Sequence, residues 1–133
     1  MSRHTDRIQV FKLVFQTEFQ GREDMLSLLE EYFEENLTDK DNRTFIENEY
    51  RGVLDNLEKI DDVINKSAIN WSVERIDKAD LSILRLAVYE ILFSDVPGRV
   101  AANEAVELAK EFSADKSPKF INGILGKVIG DRK

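Results

Sequence analysis

The sequence predicts an all-α protein, a bundle of about six to seven helices in two packed subdomains, about 1–65 and 66–133. Three observations predict it. Apolar residues recur at helical spacing along most of the chain. Only two prolines and six glycines punctuate it. No stretch alternates apolar and polar residues as a strand would. At 133 residues, 42% hydrophobic and 34% charged, the chain suits one domain whose core can stand without staples.

The elements follow in order. A first helix is expected from about Thr5 to Phe19, with Ile8, Phe11, Phe15 and Phe19 joined by Val14 on its apolar face, and Gly21 ends it. A second, about Glu23–Glu35, offers Met25, Leu28, Leu29, Tyr32 and Phe33 to a core and turns an acidic face to water. The Asp39–Asn42 segment is turn-like. A long third helix then runs from Asn42 or Arg43 to about Ile64, presenting Ile46, Tyr50, Val53, Leu54, Leu57 and Ile60. A break near Gly52 is allowed, since a mid-helix glycine costs up to about 1 kcal/mol relative to alanine.

Trp71, in the Lys66–Ser72 connection, is expected to anchor in the core. Arg75–Phe93 is the most apolar helix and belongs at the centre of a bundle. Asp95-Val96-Pro97-Gly98 is a turn. The next helix, about Val100–Phe112, buries Ala101, Ala105, Leu108, Ala109 and Phe112. Ser117-Pro118 reads as N-cap and first helical residue of the last helix, which buries Phe120, Ile121, Ile124, Leu125 and Val128.

Little catalytic chemistry is on offer. With no cysteine and one histidine, disulfides, thiolate metal sites and histidine pairs are excluded, and no cofactor or metal is expected. Glu30-Glu31 and Glu34-Glu35 fall on the wet face of an amphipathic helix. No glycine-rich phosphate loop precedes a helix. Gly123, Gly126 and Gly130 instead lie inside the last one, where they either permit close helix packing or expose backbone to RNA. The N-terminus lacks an apolar signal core, and the greasy run Leu81–Phe93 is interrupted by Arg85 and Glu90 and too short to span a membrane. A cytoplasmic protein is expected.

The net charge of −7 argues superficially against nucleic acid, so its distribution matters. Acidic side chains concentrate in residues 18–62, whereas residues 1–17 and 116–133 are both net basic. Screening over about 8 Å lets a basic patch act locally if it faces away from the acidic block.

Several ordered motifs carry a resemblance. They are Trp71 with Arg75, Ile83-Leu84-Arg85 with Tyr89-Glu90, Asn103–Lys110 (NEAVELAK) and Phe120–Leu125 (FINGIL), with a looser match at Phe11–Gln16. In sequence and order they resemble the NusB family of bacterial transcription antitermination factors. The resemblance implies a non-enzymatic RNA-binding adaptor. It would recognise the boxA element of nascent ribosomal RNA as single strand, pair with the ribosomal protein NusE, and reach the elongating RNA polymerase complex indirectly.

The resemblance also suggests where to look. Its arginine-rich start corresponds to Arg3, His4 and Arg7, although His4 and Asp6 thin the charge here. Arg3 and His4 are read as an arm ahead of the first helix. Basic side chains near a helix start can clamp phosphates, which gives affinity without sequence information. A second RNA region would include Phe112, Lys116, Ser117, Lys119, Phe120 and Asn122. There the lysines, the serine hydroxyl and the helix N-terminus offer donors. Exposed aromatics can stack on bases for roughly 1–3 kcal/mol each, although Phe112 and Phe120 also fit the core pattern. Asn103 and Asn122 are read either as cross-links between helices or as ligands. For NusE, the resemblance points to Asp80.

Two other functions stay open: a helical protein-interaction module with weak or lost RNA binding, and a stand-alone relative of the N-terminal RNA-binding domain of ribosomal RNA cytosine methyltransferases. A homodimer is also open, since some relatives form dimers that mask the RNA surface.

Overall fold

A computed structural model describes residues 2–69 and 72–132, with only the backbone of Arg132. Trp71, expected as a core anchor, lies outside the described residues, as do Asn70 and Lys133. Every regular element among the described residues is helical. The chain divides into two units between Asp55 and Asn56, ahead of the expected boundary near 65.

The first unit contains α1 (Arg3–Gln20), a 3-10 turn at Arg22–Asp24, α2 (Met25–Glu35) and α3 (Lys40–Asp55). Ser2 caps α1, accepting a hydrogen bond from the Thr5 amide at 3.1 Å. Arg3 and His4 are therefore the first helical residues, not an arm ahead of the helix. Gly21 ends α1 at φ 98°, a conformation glycine adopts without Cβ strain.

The buried face of α1 is rotated from the expected one. Val10, Phe11, Leu13 and Val14 are buried together with Asp6, Arg7 and Thr17, while Phe19 is 65% exposed. Phe15 bridges the two aromatic neighbours, with ring centroids 6.0 Å from Phe11 and 4.9 Å from Phe19. Tyr50 of α3 explains the rotation. It is fully buried, with its hydroxyl 2.6 Å from Thr17 Oγ1 and 3.2 Å from the Met25 carbonyl, so one side chain joins α1, α2 and α3. Burial pushes the Tyr50 phenol pKa up, and the Thr17 hydrogen bond partly opposes that rise.

The second unit contains α4 (Leu57–Ser67), a 3-10 turn at Val73–Arg75, α5 (Lys78–Phe93), α6 (Gly98–Phe112) and α7 (Ser117–Arg132). The long third helix is thus two helices. Gly52 stays helical, and the break falls at Asn56, which adopts φ −113° and ψ 17°. Asparagine side chains compete with the helix ladder for backbone hydrogen bonds, which makes such a residue a natural joint. The helix expected from Arg75 starts only at Lys78, where the Asp77 carboxylate accepts from the Ala79 amide at 3.1 Å.

As its composition predicts, α5 is the centre of this unit, packing against α4, α6 and α7. Leu81, Ile83, Leu84, Leu86, Ala87, Val88 and Ile91 are all buried. Arg85 is buried too, and its guanidinium grips both oxygens of Asp61 on α4 at 2.9 Å each. At the start of α6, a Cβ on Gly98 would come within 3.1 Å of Ile129, so glycine lets α7 approach closely there.

Candidate nucleic-acid interface

In the first unit Arg3 and Arg7 are held by neighbours. Arg3 Nη1 donates to Asp6 Oδ2 at 2.9 Å and to Asn42 Oδ1 at 3.3 Å, and Nη2 donates to Asp41 Oδ2 at 3.0 Å. Its guanidinium also lies 4.5 Å from the centroid of the Phe45 ring, and that of Arg7 lies 5.5 Å from the same ring. Hydrogen bonding to Asp6, with a further contribution from Asp41, raises the Arg3 pKa above its ordinary value against the opposing pull of desolvation. Arg7 is buried and His4 half-buried. Arg3 thus keeps partial access to solvent, while Arg7 is largely structural. No local signal in the sequence reveals this, because Asp41 and Phe45 reach the start of α1 only through the packing of α3.

In the second unit, Lys116, Lys119 and Asn122 are exposed, flanked by half-buried Phe112 and Phe120. Phe112 and Phe120 are thus not fully enclosed, as a pure core role would require. Ser117 and Asp80, expected at an RNA surface and a protein surface respectively, are bonded to each other. The Ser117 hydroxyl donates to Asp80 Oδ2 at 3.0 Å, and both residues are buried. Ser117 is the first residue of α7, not its N-cap, and its hydroxyl proton goes to α5. Asp80 is not an exposed helix acid, because the start of α7 covers it. The second carboxylate oxygen, Asp80 Oδ1, is buried with no hydrogen-bond partner among the described residues.

Asn103 and Asn122 do not cross-link helices. Both are exposed, and among the described residues no hydrogen bond engages their side chains. The glycines of α7 also depart from the packing role. A Cβ added at Gly123, Gly126 or Gly130 would meet nothing within 4 Å among the described residues. With Lys119, Asn122 and Lys127 these residues form one exposed helix face, since positions three and four apart are neighbours. Among the described residues no acidic or histidine cluster could hold a metal ion. The chemistry this face offers is ammonium groups, an amide and uncovered backbone.

A sequence model of the NusB family matches residues 4–130. The chain belongs to the NusB family. It is 48% identical over 136 aligned residues to the transcription antitermination protein NusB of Natranaerobius thermophilus, covering 96% of this chain and 94% of that protein. The solved structure of T. maritima NusB superposes with a TM-score of 0.90 at 39% identity, covering 98% of this chain and 92% of that one. A chain from a structure of antitermination factors NusB and NusE in complex with dsRNA matches with a TM-score of 0.85 at 28% identity, covering 98% and 99%. Membership of the NusB family makes this protein a transcription antitermination factor, not an enzyme.

One prediction arises from the helix face alone. Gly126→Ala is expected to stabilise the protein by about 0.5–1 kcal/mol, because alanine removes backbone entropy from the unfolded chain and meets no obstacle here. Thermal unfolding should rise by about 3 °C. A fall would mean that the face is covered in solution.

Proposed function

We propose that this chain binds single-stranded boxA RNA of nascent ribosomal transcripts jointly with the ribosomal protein NusE, in a bacterial cytoplasm, and thereby ties the transcript to the elongating polymerase complex. The observation that carries the reading is the exposed trio Lys116, Lys119 and Asn122 beside the half-buried rings of Phe112 and Phe120. Lysines supply phosphate contacts, aromatic ring faces supply stacking, and an amide can read a base edge. The similarity to a NusB chain solved with NusE and dsRNA supports both partners. No described helix is long and apolar enough to cross a membrane.

Arg3 is a further candidate contact in the first unit, whereas Ser117 and Asp80 act as positioning residues for the start of α7. This is a reassignment of both from direct contact. Titrating boxA and scrambled RNA, each with and without NusE, tests the proposal. BoxA should bind more tightly than the scrambled strand, and NusE should strengthen boxA binding. If about four phosphates are neutralised, log affinity should fall with log salt at a slope near −3. Equal weak binding to both RNAs, with or without NusE, would favour the protein-interaction reading instead.

A further inference from the structure

We propose that Asp41 is an intramolecular stand-in for an RNA phosphate on Arg3, and so sets how tightly this family member holds RNA. The inference rests on the RNA-binding reading above. Its basis is the unequal character of the groups around one guanidinium. Asp6 is fully buried, Asn42 is buried, and both meet Nη1; Phe45 lies against the guanidinium. These groups hold Arg3 in place. Asp41 differs. Its side chain is 84% exposed, it meets only Nη2, and among the described residues no other hydrogen bond or ion pair fixes its carboxylate.

A carboxylate oxygen and a phosphate oxygen satisfy an arginine N–H in the same way. The buried partners therefore orient the donor, while the exposed partner occupies the position that a phosphodiester oxygen would take. Exposed ion pairs are weak enough to exchange. RNA docking at Arg3 must displace Asp41 and must also tolerate its charge nearby.

Removing that charge should tighten RNA binding. Asp41→Asn in the full chain is expected to bind a boxA oligonucleotide about three- to tenfold more tightly at physiological salt. The salt slope should steepen by about 0.7, the share of one additional phosphate contact on a single strand. In the Arg3→Ala background the same substitution should change nothing. Asp41→Ser serves as a second variant, with thermal unfolding confirming that each protein folds. RNA binding that weakens on Lys119→Ala but is unmoved by either Asp41 variant overturns the stand-in role and leaves the RNA reading intact. A gain that persists without Arg3 also overturns it, because the effect is then a general field. If no variant binds RNA with or without NusE, both proposals fall.

Discussion

Arg85→Ala is expected to lower the free energy of unfolding by about 3 kcal/mol, read as a shifted urea midpoint at constant slope. The guanidinium is buried and engages both oxygens of Asp61 in a fork. Removing one member of such a pair leaves the other carrying its desolvation cost alone. Asp61 keeps 23% of its side-chain surface exposed, which places the effect at the lower end of the range for buried pairs. Arg85→Lys should recover only part of the loss, because an ammonium cannot reproduce the planar two-point contact. A loss below about 1 kcal/mol would mean that water compensates the pair as it does on a surface.

Replacing Lys116 and Lys119 together by alanine should cut boxA affinity by about tenfold or more at physiological salt and make the salt slope shallower by about 1.4, the contribution of two phosphates. Both side chains are exposed, so stability should stay within about 0.5 kcal/mol of the parent. Those two readouts together separate an RNA contact from a folding defect. An unchanged slope would remove these lysines from the phosphate path, whatever happened to affinity.

Helix number and type were legible because apolar spacing is a local signal, and α5 and α6 stand out on that basis. What misled was polarity in the core. Asp6, Arg7 and Thr17 lie on the buried face of α1, so a rule that seeks apolar residues selects Phe15 and Phe19 and misplaces the face. The long third helix, which glycine propensity allows to break near Gly52, breaks instead at Asn56. At the candidate interface the lysines and Asn122 could be read from motif and charge. The bonds from Arg3 to Asp41 and from Ser117 to Asp80 could not. Each joins residues more than thirty positions apart, and only packing brings such pairs together.

The seat of Asp80 has an electrical consequence. The leading end of a helix carries a partial positive charge that welcomes an anion, and at α7 the protein has already put its own carboxylate beside Ser117. A phosphodiester arriving there would find the attraction spent and a like charge beneath it. On the proposed reading the strand settles to the side, on swivelling lysine tips instead of rigid amides. Such a grip fixes neither register nor direction by itself, so those choices pass to the bases and the rings they lie against.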